Sequence, residues 1–280
     1  MFDFKSITLG DSRYNFHSHT QFCDGRATMA EFAETVSKAG FRHWGFSPHS
    51  PVPIDSPCNM AEYDVPIYLA EVCRLNSLYE SSDIEFYASM EIDYLGEHWG
   101  PANDYFQQLP LDYRLGSVHF VPAPDTGEPV DIDGRYESFL RKMHDYFHDD
   151  IHYVVNTFFD QSLAMVRAGG FDLIGHFDKI GHNASHFCPG IEDEPFYRRR
   201  LLELTDAIIA SGVTVEINTK ALAEHGRLFP SPSVWPILLK AGVPVVVNSD
   251  AHYPHLVNAS RPETLAMLEK TSAEISTPTL

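Results

Sequence analysis

Short apolar runs alternate along the chain with longer amphipathic segments. Residues 243–247, Val-Pro-Val-Val-Val, form a continuous apolar run of the kind found in parallel strands that are buried on both faces. The alternation of the two periodicities predicts strands separated by helices. Seven strands are predicted, the first ending near His17 and the others over residues 43–46, 84–89, 112–118, 171–174, 213–217 and 244–247.

Helices are predicted between most of these strands. Thr28 begins a capping-box pattern at the start of the first helix. The segment that contains His182 and His186 has helical spacing, but a glycine and a proline flank it and favour a loop. The predicted helices cover about residues 28–38, 62–79, 135–148, 151–168, 193–210, 233–241 and 261–270.

This succession of elements predicts an α/β fold. A chain of 280 residues has the length of one α/β barrel, and no Gly/Ser-rich linker divides it, so we expect a single domain over residues 1–280. An open doubly wound sheet is the alternative, but the G-x-G-x-x-G pattern that cradles phosphates in such folds is absent. The sequence therefore favours one barrel-like domain.

Ligand-forming side chains follow nearly every predicted strand. His17 and His19 form an H-x-H pattern after the first strand, where residues i and i+2 point to the same side. Asp250 and His252 follow the last strand in the same way. Further His, Asp, Glu and Asn residues stand at the other strand ends, namely His49, Glu91, Asp93, His119, His176, Asp178, Glu216 and Asn218. Because these ends meet on one face of a parallel barrel, we expect a metal site there.

The residue types indicate the metal and the chemistry. Imidazole and carboxylate ligands without thiolate suit Zn, Mn or Fe. Glu91, in the middle of the set, can bridge two cations. Clustered cations remove the repulsion between hydroxide and a phosphate ester, and they lower the pKa of water. The pattern therefore predicts a multi-metal site that hydrolyses phosphate esters.

The same motifs resemble those of the PHP (polymerase and histidinol phosphatase) superfamily over nearly the whole chain. They are His17-Ser18-His19, His49, Glu91, Ser117-Val118-His119, Gly175-His176 and Ser249-Asp250-Ala251-His252. Asp24-Gly25 and Glu216-Ile217-Asn218-Thr219 are most similar to the stand-alone histidinol-phosphate phosphatases of that superfamily. The resemblance implies a distorted seven-stranded TIM-like (β/α) barrel with two or three divalent metal ions at the C-terminal ends of its strands.

The resemblance also implies roles for individual residues. The metal ligands would be His17, His19, Asp24, His49, Glu91, His119, His176, Asp250 and His252. The phosphate contacts would be Ser117, Lys179, Asn218, Lys220 and Arg227. Family members often carry an arginine near the two lysines, so the sequence does not single out one cation for the phosphate. The catalytic residues would be Glu91, Asp250 and His252, with Asp250 or a neighbouring histidine protonating the leaving alcohol.

Composition and charge limit the kinds of molecule that we expect this protein to bind. The formal net charge of −19 argues against long nucleic acids, but bound cations would still admit a small phosphate ester. No apolar run approaches the length of a membrane span, and the N-terminus lacks a signal-peptide core. The four cysteines form no C-x-x-C pattern and are typical of a reducing compartment. We expect a cytoplasmic protein without membrane contact, and the sequence does not predict an oligomeric state.

Three functions are compatible with the sequence. The first is a metal-dependent phosphomonoesterase that converts L-histidinol phosphate to L-histidinol and phosphate in histidine biosynthesis. The second is a PHP phosphoesterase for another small phosphate ester or a nucleotide. The third is a non-catalytic metal-binding or regulatory protein of the same fold, which the complete ligand set argues against.

Overall fold

The computed structural model describes residues 2–276. Within this range the strands are β1 (Tyr14–Asn15), β2 (His43–Phe46), β3 (Glu85–Ala88), β4 (Glu91–Asp93), β5 (Leu115–Ser117), β6 (Phe120–Pro122), β7 (Pro129–Asp131), β8 (Leu173–Ile174), β9 (Thr214–Asn218) and β10 (Val245–Asn248). The α-helices are α1 (Phe4–Thr8), α2 (Met29–Lys38), α3 (Val65–Leu78), α4 (Asp104–Gln108), α5 (Tyr136–Phe147), α6 (Ile151–Ala168), α7 (Ile180–Phe187), α8 (Pro195–Ser211), α9 (Leu222–His225), α10 (Trp235–Lys240) and α11 (Arg261–Ser276). Short 3₁₀ helices cover Glu62–Asp64, Ile191–Asp193, Pro232–Val234 and Pro254–Leu256.

Parallel pairing arranges the strands in the order that an α/β barrel requires. β1, β2 and β3 form one sheet, and a second sheet has the order β10-β9-β8-β5-β4. β3 lies within the third predicted strand, residues 84–89, and β4 follows it directly along the chain. Single parallel bridges, His49 to Glu91 and Ser18 to Ala251, connect the two sheets at both junctions. The seven predicted strands therefore follow one another around a ring, and the α/β prediction is confirmed.

The predicted helices agree with the structure, with one wrong interpretation in a neighbouring segment. Thr28 caps α2, and its capping box with Glu31 is present. The segment with His182 and His186 is not a loop but helix α7. The glycine of this segment, Gly181, stands in the first turn, where it does not interrupt the helix. The sequence interpretation also missed α1 and the antiparallel hairpin of β6 and β7.

Aromatic side chains fill the N-terminal end of the ring. Phe4 of α1 packs edge-on against Phe16 and Tyr113, with ring centroids 4.9 and 5.2 Å away. The backbone N–H of Phe2 donates to Asp172, which directly precedes β8. Helix α1 therefore lies at the strand starts and leaves the strand ends free for the polar side chains.

Gly45 of β2 allows the closest approach within this aromatic core. A Cβ atom at this position would lie 1.8 Å from the hydroxyl oxygen of Tyr113. That hydroxyl donates to the carbonyl oxygen of Phe16 across 2.5 Å. The residue that follows Phe16 is the first predicted ligand, so this contact fixes the backbone from which the site begins.

All four cysteines lie in the described part of the chain and none forms a disulfide. Cys58 and Cys73 are exposed, whereas Cys23 and Cys188 are partly buried. Among residues 2–276, no helix combines the length and the apolar character needed to cross a membrane.

Candidate metal centre

Six histidines and four carboxylates converge at the C-terminal ends of the parallel strands. They form four overlapping groups, and within each group the potential ligand atoms lie within 4.8 Å of one another. The members are His17, His19, Asp24, His49, Glu91, Asp93, His119, His176, Asp250 and His252. The structure therefore brings together all nine residues that were predicted as ligands, and it adds Asp93.

Glu91 occupies the middle of this cluster, and its two oxygens face different histidines. Oε2 lies 3.2 Å from Nε2 of His17 and 3.1 Å from Nδ1 of His49. Oε1 lies 2.9 Å from Nε2 of His176 and 3.5 Å from Nε2 of His119. A carboxylate with one oxygen on each side has the arrangement needed to bridge two cations.

A second set of contacts surrounds Asp250. Its Oδ1 lies 3.1 Å from Nε2 of His19 and 3.7 Å from Nε2 of His17. The backbone of Asp250 has a φ of 49°, in the left-handed region that Asp tolerates better than most residues other than glycine. This turn directs the side chain back over the end of β10 towards the histidines that follow β1.

A third set lies closer to solvent. Nε2 of His252 lies 3.2 Å from Oδ1 of Asp24, and Nε2 of His49 lies 3.9 Å from the same oxygen. Oδ1 of Asp24 and Nδ1 of His49 are both buried without a hydrogen-bond partner. Buried acceptors without donors are unfavourable unless a cation approaches them, so these residues fit a metal ion.

The electrostatics of the cluster keep its carboxylates ionised. Burial raises the pKa of Glu91, but His17 and His119 outweigh it and hold the pKa well below its usual range. Burial also raises the pKa of Asp250, and here Lys220 and His17 lower it well below the usual value. Ionised carboxylates are the form that binds divalent cations.

Several of the imidazoles are held neutral, which is the form that binds a metal. Burial lowers the pKa of His19, and the neighbouring His252 and His49 lower it further. Burial likewise lowers the pKa of His49 and of His176. Neutral rings beside ionised carboxylates give a donor set that matches Zn, Mn or Fe.

Two buried carboxylates hold the second ring nitrogen of two histidines. Oε1 of Glu216 and Oδ1 of Asp93 lie 2.7 Å from Nδ1 of His17 and His119, respectively. Burial lowers the pKa of both rings, but the carboxylates outweigh it, raising the pKa of His17 well above its usual value and that of His119 to about 9. Such carboxylates orient a ligating ring and increase its basicity.

The sequence interpretation included Glu216 among the strand ends but assigned it no role in the site. The side chain of Glu216 points into the ring of strands and is fully buried. Its Oε2 accepts from the backbone N–H of His176, and Oε1 accepts from the side chain of Asn248. The available signal was a glutamate between two apolar strand residues, Val215 and Ile217, because a buried carboxylate requires buried partners.

A cavity of about 870 Å³ opens onto the cluster. Lys179 and Lys220, two of the predicted phosphate contacts, line it. The Nζ atom of Lys220 lies 3.4 Å from Oδ2 of Asp250 and 3.3 Å from Nε2 of His252. Two ammonium groups thus face the same cavity as the predicted metal ligands.

The other three predicted phosphate contacts do not line this cavity. Ser117 is buried and donates to Oε1 of Glu91 across 2.7 Å. Asn218 is buried and donates to Glu216 and Asp250. Arg227 forms an ion pair with Glu192 at 2.7 Å, and neither residue lines the cavity. Ser117 and Asn218 therefore support the ligands.

Comparison with known proteins agrees with this geometry. The family model described as the PHP domain matches residues 15–220. The probable histidinol-phosphatase of Deinococcus radiodurans is 26% identical over 253 residues, which cover 85% of each chain. The histidinol-phosphatase of Bacillus subtilis (strain 168) is 22% identical over 250 residues, which cover 84% of this chain and 92% of that protein.

Solved structures of similar fold carry related names. A candidate histidinol phosphatase, hisK, from Listeria monocytogenes has a TM-score of 0.78 at 17% identity and covers 89% of this chain and 99% of its own. The histidinol phosphate phosphatase from Lactococcus lactis subsp. lactis Il1403, complexed with zinc, L-histidinol and phosphate, has a TM-score of 0.63 at 16% identity, with 96% and 95% coverage. These likenesses concern the fold, whereas the family model matches most of the chain, from residue 15 to residue 220, and so includes the site motifs that precede Asp250 and His252. The chain therefore belongs to the PHP domain family.

Proposed function

We propose that this chain, acting as one domain over residues 1–280, is a metal-dependent phosphomonoesterase that hydrolyses L-histidinol phosphate to L-histidinol and phosphate. The observation that carries the proposal is the convergence of metal-ligand side chains on both oxygens of Glu91, with two lysines in the same cavity. The names of the two curated relatives support the choice of substrate, as does the L. lactis structure with zinc, L-histidinol and phosphate. The reaction would be a step of histidine biosynthesis.

We further propose that the cluster holds two or three divalent ions, of Zn, Mn or Fe. The three groups of ligands would be His17, His19 and Asp250 with Glu91; Glu91 with His119 and His176; and Asp24 with His49 and His252. Divalent ions held there would supply positive charge against the phosphate dianion and would lower the pKa of water towards neutrality.

The chain's own cations would bind the phosphate group. Lys179 and Lys220 line the cavity from the ends of different strands, so their ammonium groups could hold two phosphate oxygens. Burial raises the pKa of Asp250, but Lys220 and His17 outweigh it and keep the carboxylate ionised, which suits a ligand and does not suit a proton donor. Of the two possibilities for protonating the leaving alcohol, Asp250 or a neighbouring histidine, this favours a neighbouring histidine.

Phosphate release from L-histidinol phosphate by the metal-loaded protein is the direct test. A panel with other small phosphate monoesters and nucleotides, at one salt concentration, separates the first function from the second. Bound metal without hydrolysis of any ester would instead support the non-catalytic function. We also propose a cytoplasmic location, which the four unpaired cysteines support.

A further inference from the structure

Lys179 forms an ion pair with Asp133 in the wall of the cavity. The Nζ atom of Lys179 lies 2.5 Å from Oδ2 of Asp133, and the two side chains are 18% and 31% exposed. Both residues line the cavity beside the metal centre. Lys179 stands three residues after the ligand His176, whereas Asp133 lies in the loop that follows the hairpin of β6 and β7. The pair therefore joins the metal centre to an element outside the ring of strands.

The loop that carries Asp133 is fixed from both sides. The buried Asn183 of α7 donates from Nδ2 to the carbonyl oxygens of Ile132 at 3.2 Å and Gly134 at 3.4 Å. The N–H of Ile132 donates to the carbonyl oxygen of His119 across 2.9 Å. One side-chain amide thus clamps the residues on either side of Asp133, and the backbone of a ligand histidine anchors the same loop.

A lysine in this position needs a counter-charge to hold it. The four-carbon stem of a lysine has many rotamers, and its ammonium is a compact charge that follows the nearest anion. Asp250 and Glu91, both metal ligands, also attract the ammonium of Lys179. Asp133 offers a closer anion on a clamped loop, which keeps the ammonium at the cavity wall and away from the ligand carboxylates.

We propose that Asp133 is a positioning residue that holds the Lys179 ammonium in place to receive a phosphate group. The proposal rests on the proposed function in taking Lys179 as a phosphate contact. The ligand class is the phosphate group itself, as inorganic phosphate or as the phosphate of a monoester. The hairpin of β6 and β7 would therefore contribute to phosphate binding, because the loop that follows it carries Asp133.

The test is the binding of inorganic phosphate to the zinc-loaded protein, freed of excess zinc, measured by isothermal titration calorimetry. We expect Asp133→Ala to weaken phosphate binding about tenfold, because the ammonium is no longer held. Asp133→Asn keeps an oxygen acceptor without the charge, so we expect a smaller loss. Asp125→Asn, at an exposed carboxylate in the turn of the same hairpin, is the matched control and should bind phosphate as the wild type does.

A double variant separates positioning from a merely structural role. If Asp133 acts through Lys179, Asp133→Ala should cause no further loss in a Lys179→Met background. An equal loss of phosphate affinity in both backgrounds would overturn the proposal. Unchanged or tighter phosphate binding by Asp133→Ala would also overturn it, because the main effect of Asp133 would then be to repel the phosphate. The zinc content and Tm of each variant identify a misfolded protein. If Asp133→Ala is misfolded, Asp133→Asn is compared with the wild type in its place.

The outcome can be told apart from failure of the proposed function, because phosphate binding requires no turnover. Wild-type protein that binds phosphate without hydrolysing L-histidinol phosphate would contradict the substrate assignment. The phosphate affinities of the Asp133 variants would then still decide the role of Asp133. Hydrolysis with the same phosphate affinity in wild type and Asp133→Ala would overturn the role of Asp133 alone. Wild-type protein that binds no phosphate would overturn both.

Discussion

Glu216 accepts a hydrogen bond from Nδ1 of His17 across 2.7 Å, and both side chains are fully buried. The other oxygen of Glu216 accepts from the backbone N–H of His176 across 3.1 Å. One carboxylate on β9 therefore holds a predicted ligand that follows β1 and the backbone of a predicted ligand that follows β8. We therefore expect metal binding to depend on this connection across the ring as well as on the predicted ligands.

Glu216→Gln should weaken metal binding, because a neutral amide neither raises the basicity of His17 nor fixes its ring as firmly. Loss of such a partner commonly costs about 10- to 100-fold in metal affinity or activity. Zinc affinity measured by competition with a chelator checks this. Glu224→Gln on α9 makes the same change at an exposed site and should leave zinc affinity unchanged. Equal affinities in the two variants would contradict the role of Glu216.

Lys220 and Arg227 should differ in their effect on the phosphate. Lys220 lines the cavity, whereas Arg227 pairs with Glu192 outside it. A hydrogen bond to a charged group contributes about 1.5–3 kcal/mol, so Lys220→Met should lower kcat/KM for the phosphate ester tenfold or more. Arg227→Met should have a much smaller effect. Steady-state kinetics of both variants measure the two effects. A larger loss of kcat/KM in Arg227→Met than in Lys220→Met would indicate that Arg227, and not Lys220, binds the phosphate.

His182 should make the protein sensitive to acid. Burial, and then the neighbouring His186 and His225, lower the pKa of His182 from 6.5 to about 4. The folded chain therefore favours the neutral ring, while the unfolded chain takes up a proton as the pH falls through 6.5. Stability linked to this group is complete above about pH 6.5 and is lost progressively as the pH falls towards 4.

His182→Phe removes this titration and keeps an aromatic ring against the two histidines, whose ring centroids are 4.7 and 4.6 Å away. We expect the decrease in Tm between pH 7 and pH 4.5 to be smaller in the variant than in the wild type, by about 2 °C or more. His144→Phe, at an exposed position on α5, should follow the wild type. Parallel Tm curves for wild type and His182→Phe would refute the assignment.

Gly45→Ala should destabilise the fold, because the added Cβ would lie 1.8 Å from the hydroxyl oxygen of Tyr113 and 3.1 Å from Cα of Phe16. Overpacking of a core typically costs about 1–3 kcal/mol in the free energy of unfolding. Urea unfolding measures the loss. Tyr113→Phe removes the clashing oxygen, so the double variant should be more stable than Gly45→Ala alone. A double variant that is less stable would indicate another cause.

Much of the fold could be predicted from the sequence because periodicity reports burial. The apolar run over residues 243–247 and the capping box at Thr28 are local signals, and both elements are present. The hairpin of β6 and β7 has strands of three residues each, which are too short to show a periodic pattern. Helix α7 was interpreted as a loop because Gly181 is a weak helix former, yet the packing of Tyr197, whose hydroxyl would lie 2.5 Å from a Cβ there, favours a glycine.

The candidate site was predictable to the extent that its ligands stand at strand ends. All nine predicted ligands converge, because the strands are parallel and their C-terminal ends therefore lie on one face of the ring. Asp133 and Glu216 could not be assigned from the sequence, since their roles depend on partners 46 and 199 residues away along the chain. Arg227 is near the predicted phosphate motif in sequence, but Glu192 binds its guanidinium and keeps it from the cavity.

Hydrolysis of L-histidinol phosphate should require metal ions held around Glu91. The most direct measurement is phosphate release from that ester by protein stripped with a chelator and then reloaded with Zn or Mn, beside Glu91→Gln treated in the same way. We predict no release by the stripped protein, recovery on reloading the wild type, and a loss of at least 100-fold in Glu91→Gln, because an uncharged amide cannot bridge cations. Equal turnover by stripped and reloaded protein, or full activity of Glu91→Gln, would contradict a metal-dependent reaction at Glu91.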